Sequence, residues 1–186
     1  MRRTVLVFGV ISGCIISLMM LVSVMFNDAI GFDRAEVIGY TSMVLAFLLV
    51  FFGIRSYRDN VAGGSVSFGR AFSVGALIAV VASLFYVATW EFVYYRITPD
   101  FVEKYQAHII EKARQDGESE EAIAKRRAEL ARYAELYSNP AINAAVTFLE
   151  PLPVALIMTL VSAGVLSRRR HGVGSDGMMP ATRTSS

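Results

Sequence analysis

The stretch "AFSVGALIAVVASLFYVATW", Ala71 to Trp90, decides the fold because none of its residues carries a charge. Roughly 20 helical residues are needed to cross the ~30 Å hydrocarbon core of a bilayer, and this stretch is of that length. Lipid offers no water to the backbone N–H and C=O groups, so a spanning segment satisfies them by forming a helix. We therefore predict a transmembrane helix here.

Three further apolar segments have the same character, and a charged segment separates the third from the fourth. Of the 186 residues, 54% are hydrophobic, against about 45–50% in soluble domains. Membrane helices are predicted at about residues 4–26, 37–54, 71–92 and 143–167. Residues 1–95 thus hold the first three spans, 96–142 form a charged insertion, and 168–186 form a basic, disordered tail. The predicted fold is all-α: a membrane-embedded bundle of four transmembrane helices, with an extracytoplasmic helical hairpin between the third and fourth spans.

Arginines flank alternate ends of the predicted spans, and this sets their orientation. Lys and Arg in short loops and near span ends are retained on the cytoplasmic side. The loop after the first span has only Arg34, whereas the N-terminus, the loop before the third span and the C-terminal flank are rich in arginine. We predict that both termini are cytoplasmic and that residues 96–142 lie outside. The flanking residues are Arg2, Arg3, Arg55, Arg58, Arg70, Arg168, Arg169 and Arg170.

The charged insertion has the pattern of two helices joined by a glycine turn. Thr98 is predicted to cap the first helix with Pro99 at its first position. Gly117 is predicted to end that helix, and Ser119 to cap the second. Each helix has one narrow apolar face that must pack either on its sibling or on the outer mouth of the bundle. The insertion is then either a solvated hairpin, which we favour, or a partner-binding or lid element. The apolar faces are Phe101, Tyr105, Ile109 and Ile123, Leu130, Tyr137.

Small residues recur every four positions in the first and third spans. Such rows form flat grooves in which another membrane helix can approach closely. One interpretation is homodimerisation; the other, which we favour, is packing between helices of the same chain. The two rows are Gly9, Gly13, Ser17 and Ala71, Gly75, Ala79, Ser83.

The stretch "TFLEPLPVALIMTL", residues 147–160, places a carboxylate and two prolines inside the last span. At 1.5 Å per residue, Glu150 lies about 24 Å from the inner end of that span, roughly 6 Å below the outer boundary of the hydrocarbon. Similar estimates bring polar groups of the second and third spans to the outer side. We therefore predict an outward-facing polar vestibule. Its candidate residues are Glu150, Glu91, Tyr40 and Thr41.

Two interpretations of Glu150 stay open at this point. It is either a proton- or cation-binding carboxylate or a packing residue that points to the interface or bonds Tyr40 or Arg96. Glu91 lies nearer the surface, where a simple interfacial anion is the favoured interpretation.

The prolines Pro151 and Pro153 also have two interpretations. Either they kink a helix that starts at Pro140 and is capped by Asn139 or Ser138, or a buried helix begins near Pro151.

The sequence offers little other chemistry. A single cysteine, Cys14, excludes an internal disulfide and a cysteine-based zinc site. His108 and Glu111 lie three residues apart without further ligands, so we predict no metal site. We find no catalytic or nucleotide-binding motif and predict no cofactor. The net charge of +2 is too small to indicate nucleic-acid binding.

Four stretches together resemble the bacterial membrane-protein family known as domain of unknown function 4199. They are "IGYTSMVLAFLLVFFGIRSYRDNVAGGSVSFGRAF", "YVATWEFVYY", "PDFVEKY" and "NAAVTFLEPLPVALIMTLVSAGVL". The resemblance covers about residues 1–170. It implies four spans with an insertion before the last. The family has no established activity, so the resemblance assigns no catalytic residue.

We expect a multi-pass protein of the bacterial inner membrane whose partners are the lipid bilayer and either a second copy or other membrane proteins. The favoured role is a non-enzymatic structural, assembly or signalling partner. The alternative is a small oligomeric transporter or channel subunit that uses an intramembrane carboxylate. A third hypothesis is an enzyme that acts on lipid or envelope precursors at the membrane interface.

Overall fold

The computed structural model of the protein describes residues 1–26 and 30–167, and its regular structure there is entirely helical. The predicted all-α fold is confirmed. The predicted tail, 168–186, lies outside the described residues. The helices are α1 (Arg2–Met25), α2 (Phe32–Asn60), α3 (Phe68–Phe92) with a π-helical continuation (Val93–Ile97), α4 (Phe101–Gln115), α5 (Glu120–Tyr137), α6 (Pro140–Leu149) and α7 (Leu152–Leu166).

Four helical stretches are long and apolar enough to cross a membrane: Arg2–Met25, Phe32–Asn60, Phe68–Ile97 and Pro140–Leu166. The second extends beyond the predicted 37–54 at both ends, because polar residues prolong α2 outside its apolar centre. Many large apolar side chains of these stretches are exposed on the outside of the bundle. Lipid contact accounts for such a surface, which would be rare on a soluble monomer.

The bundle has α2 and α3 at its centre, with α1 packed against both from one side and α7 from another. Phe47, Val50 and Ile54 of α2 and Val74 and Ile78 of α3 are 0% exposed. All five lie either in the middle of the bundle or in the half that is farther from the hairpin formed by α4 and α5. That half is therefore a filled core.

Two glycines of α1 allow close contact with α3. A Cβ at Gly9 would lie 2.7 Å from Val81 Cβ, and one at Gly13 would lie 2.6 Å from Phe85 Cγ. Ser17, one turn further, donates to the Phe85 carbonyl at 3.4 Å. The α1 row therefore lies against α3 of the same chain.

Gly75 of α3 has the corresponding role toward α2 and α7. A Cβ there would lie 2.8 Å from Thr159 and 3.0 Å from both Val50 and Ile54. Its row-mates Ala71, Ala79 and Ser83 are all buried. Both small-residue rows are thus filled within one chain.

The hairpin consists of α4 and α5, and Gly117 at its turn has a φ of +75°. Ser119 caps α5 as predicted, because its hydroxyl accepts from the Ala122 N–H at 3.2 Å. The predicted Thr98–Pro99 start of α4 is wrong: α4 begins at Phe101. The reason is that the π-helical continuation of α3 runs to Ile97, and the Thr98 N–H bonds back to the Val93 carbonyl at 2.9 Å.

The two hairpin helices share a small core of their own. Ile110 and Ala113 of α4 are buried against Ile123 of α5, with Leu130 packed beside them. Gln106 adds a bond from its amide to the Leu130 carbonyl at 3.0 Å. Two members of the predicted apolar face of α5, Ile123 and Leu130, thus pack on its sibling helix.

The last span is two helices rather than one. Asn139 caps α6, since its Oδ1 accepts from the Ala141 N–H at 3.0 Å. The helix ends at Leu149, a turn at Glu150–Pro151 follows, and α7 begins at Leu152. Pro151 and Pro153 lack the N–H groups that would continue α6. The two interpretations of the prolines therefore both hold in part, and the chain breaks rather than bends.

Candidate functional site

A cavity of about 770 Å³ separates the hairpin from the nearby ends of α1, α2 and α3. We call it the hairpin cavity. Met20 of α1 and Met43 of α2 line it on the bundle side, and Phe101, Tyr105 and Ile109 line it on the hairpin side. Along α2 its lining runs from Phe32 to Met43, which is roughly 16 Å of helix. The apolar face predicted for α4 therefore turns toward the mouth of the bundle.

Glu150 reaches this cavity from the break in the last span. Its Oε2 accepts a hydrogen bond from the Tyr86 hydroxyl at 2.9 Å. The carboxylate is accessible because it lines the cavity. The partner is thus Tyr86, and not Tyr40 or Arg96 as the packing interpretation had it. Tyr86 was not predicted because it lies within a charge-free span, where the sequence does not distinguish a tyrosine from the apolar residues around it.

Only part of the predicted vestibule converges. Tyr40 lines the hairpin cavity with Glu150, whereas Thr41 and Glu91 do not. Thr41 donates to the Val37 carbonyl of its own helix at 2.8 Å. The estimates of depth placed each residue at a height along its helix, but successive helical residues differ by about 100° in direction. Height alone therefore could not predict which residues share a cavity.

Glu91 does not line the cavity. One of its carboxylate oxygens is buried, and it has no hydrogen-bond partner in the described part of the chain.

Two carboxylates at the start of α2, which were not among the residues predicted for the vestibule, also line the cavity. They are Asp33 and Glu36. Asp33 Oδ1 lies 2.9 Å from Lys112 Nζ and 3.3 Å from His108 Nε2, both on α4. The carboxylate raises the pKa of Lys112 above its ordinary value, because it stabilises the charged ammonium. No signal in the sequence pairs residues so far apart in the chain.

Aromatic rings reinforce the same contact between α2 and α4. The Phe32 ring centroid lies 5.9 Å from Phe101, 5.8 Å from Tyr105 and 5.1 Å from His108. Such pairs add about 0.5–1.5 kcal/mol each beyond the area that they bury. These rings close one side of the hairpin cavity.

A hydrogen-bond network closes another side, where α3, α5 and α6 meet. Trp90 Nε1 lies 3.1 Å from Tyr137 Oη and 3.2 Å from Asn143 Oδ1. Thr147 Oγ1 donates to Asn143 Oδ1 and lies 3.3 Å from Tyr137 Oη. Burial raises the pKa of Tyr137, so its hydroxyl keeps its proton. Trp90 therefore connects the third span to the hairpin and to the last span.

Within the two described ranges, no group of three or more His, Cys, Asp or Glu side chains is placed to hold a metal ion. The cavity offers apolar contact, aromatic faces, hydroxyl and carboxylate groups, and the side chains of Gln106, His108 and Lys112. This combination suits the binding of a small molecule with an apolar body and a polar end.

Together these features define a multi-pass α-helical membrane protein with a cavity between its bundle and a helical hairpin. The chain belongs to the family described as Protein of unknown function (DUF4199), whose sequence profile matches residues 7–168. The match includes the hairpin and every residue named above in the cavity. Searches among curated proteins and among solved structures found no match.

Proposed function

We propose that this protein is a non-enzymatic membrane receptor that binds a small amphipathic molecule in the hairpin cavity. The main support for this proposal is the cavity itself, about 770 Å³, with an apolar and aromatic lining and with polar groups that include Glu150 and Tyr86. Ligand pockets in proteins have volumes of roughly 300–1,000 Å³ and the same kind of lining.

A signalling role follows from where the cavity lies. A ligand in it contacts both the bundle and the hairpin, whose other contacts include the Phe32 ring, the Asp33–Lys112 ion pair and the Trp90–Tyr137 hydrogen bond. A ligand that favours one placement of the hairpin shifts the population toward that placement. The hairpin surface would then report occupancy to a partner protein.

The filled core argues against transport through a single chain. Beyond the cavity, the bundle is closed by fully buried side chains such as Phe47, Val50 and Ile78. Conduction would require these helices to separate. The cavity that Glu150 lines is therefore separated from the other side of the bundle by a filled core, which favours binding over passage.

The enzyme hypothesis drawn from the sequence rests on Glu150 and Glu91 as an acid–base pair, and these two carboxylates do not share the cavity. Acid–base chemistry needs both groups within reach of one substrate. Glu150 lines the hairpin cavity and Glu91 does not.

We propose that the protein lies in the bacterial inner membrane, where the lipid bilayer is its first partner. Both termini would then be in the cytoplasm and the hairpin outside. The distribution of arginines supports this orientation. Any homo-oligomer would use surfaces other than the two small-residue rows, which are filled within the chain.

Cysteine labelling tests the orientation. In a Cys14→Ser background we expect Glu121→Cys, on the exposed face of α5, to react with a membrane-impermeant maleimide in intact cells. Ser65→Cys, in the exposed loop between α2 and α3, should react only after lysis. The reverse pattern would contradict the proposed orientation.

Filling the cavity tests the binding function. Gly39 of α2 lines the cavity, and a Cβ there would meet nothing within 4 Å. We expect Gly39→Phe to occupy the space and to weaken the binding of a long-chain alcohol that carries a photoreactive diazirine. A tenfold loss of cavity labelling would correspond to about 1.4 kcal/mol. Mass spectrometry of the crosslinked peptides measures it.

Gly164→Phe is the matched control. Gly164 also lies inside a helix, is half-buried, has open space around its Cβ position, and is outside the cavity. Both variants gain the same helix propensity over glycine. If the two variants label alike, or if wild-type labelling is not confined to the cavity, the binding function is refuted.

A further inference from the structure

The charges around the hairpin cavity are unbalanced. Asp33, Glu36 and Glu150 line it from the bundle side, while Lys112 on the hairpin is the one lysine or arginine in its described lining. Lys112 is already bonded to Asp33 at 2.9 Å, and Glu36 interacts with it only at longer range. In the described ranges no salt bridge engages Glu36 or Glu150. The cavity therefore presents two carboxylates that have no directly bonded cation.

Glu150 keeps hydrogen-bonding capacity for a ligand. Tyr86 donates to Oε2 at 2.9 Å, and no described group donates to Oε1. Glu36 lines the same cavity as Glu150. An ammonium group in the cavity would offset these negative charges and donate a charge-assisted hydrogen bond to Glu150.

Aromatic faces supply a second, independent preference for a cation. Tyr40, Tyr86, Trp90 and Phe101 all line the cavity. Aromatic rings attract ammonium groups through their negative faces, and cages of such rings bind substituted ammonium ligands. An anionic head group would meet both the carboxylates and the ring faces unfavourably.

We propose that the ligand is an ammonium-bearing amphiphile, an inference that rests on the proposed binding function. Its ammonium group binds beside Glu150 and Glu36, and its apolar chain lies along Met20, Met43 and Ile109. The ammonium could belong to a free long-chain amine or to a lipid head group.

The test compares two probes of equal chain length. Wild-type protein in phosphatidylglycerol nanodiscs is crosslinked with the photoreactive alcohol, and hexadecylamine or hexadecanol is added as competitor. We expect the amine to compete at least tenfold better than the alcohol, about 1.4 kcal/mol. In Glu150→Gln and in Glu36→Gln this advantage should fall about tenfold. In Glu121→Gln, an exposed hairpin site outside the cavity, it should persist.

Folding controls keep the test decisive. In Glu150→Gln the new amide oxygen can still accept the Tyr86 hydrogen bond, and Glu36 lies on the exposed first turns of α2, so neither variant removes a buried contact. The fluorescence of Trp90, the single tryptophan, reports whether the hairpin stays docked.

The outcomes separate the two proposals. Equal competition by amine and alcohol, or an unchanged amine advantage in both glutamine variants, would overturn the ammonium inference and leave the binding function intact. If Gly39→Phe blocks the binding of neither the amine nor the alcohol, the binding function itself would be overturned. Phosphatidylethanolamine nanodiscs distinguish the source: reduced amine binding in wild type but not in Glu150→Gln supports a lipid head group, and retained amine binding supports a free amine.

Discussion

Gly75→Leu is expected to lower the melting temperature of the bundle because it overpacks the contact of α3 with α2 and α7. The Cβ alone would contact Thr159, Val50 and Ile54 at 2.8–3.0 Å, and these come from two different helices. Overpacking of this kind costs about 3 kcal/mol at its upper range. Replacing a helical glycine recovers only about 1 kcal/mol. The net loss of about 2 kcal/mol should lower the melting temperature by roughly 6 °C.

The control for this prediction lies on the same helix. Gly69 is exposed, and a Cβ there would meet nothing within 4 Å. We expect Gly69→Leu to melt at or slightly above the wild-type temperature in detergent, followed by Trp90 fluorescence. Equal melting temperatures for the two leucine variants would show that α3 does not pack closely on α2 and α7.

Trp90→Ala is expected to release the hairpin while leaving the four spans folded. Trp90 bonds Tyr137 and Asn143, and its ring contacts Phe101 edge-on at 5.0 Å between centroids. Removing a large aromatic side chain from a core costs about 3–5 kcal/mol, and we expect about 2 kcal/mol here because Trp90 is only half-buried. That corresponds to a roughly thirtyfold larger open population. Tryptic cleavage at the exposed Arg126 and Arg127 should accelerate in proportion.

Two further substitutions separate the causes. Trp90→Phe keeps the aromatic contact and loses the N–H, which costs about 1 kcal/mol, so cleavage should rise only about fivefold. Phe92→Ala removes an aromatic ring that is 58% exposed at the end of the same helix, and we expect little change. Equal cleavage of Trp90→Ala and wild type would contradict the network as the anchor of the hairpin.

Several features of the fold followed from local patterns alone. The four apolar stretches follow from the transfer free energy of side chains and from the need to satisfy the backbone in lipid. Ser119 caps α5 as predicted, and Asn139, one of the two residues proposed for α6, caps that helix, because a cap depends on the few residues around it.

What only the tertiary structure decided is which side chains meet. Tyr86 as the partner of Glu150, and Lys112 as the partner of Asp33, join residues that are distant in the chain. Thr98 failed as a cap because α3 continues past its apolar region. The physical reason for the two pairings is that local chemistry determines which residues form a helix, whereas the rotation of that helix depends on the helices packed against it.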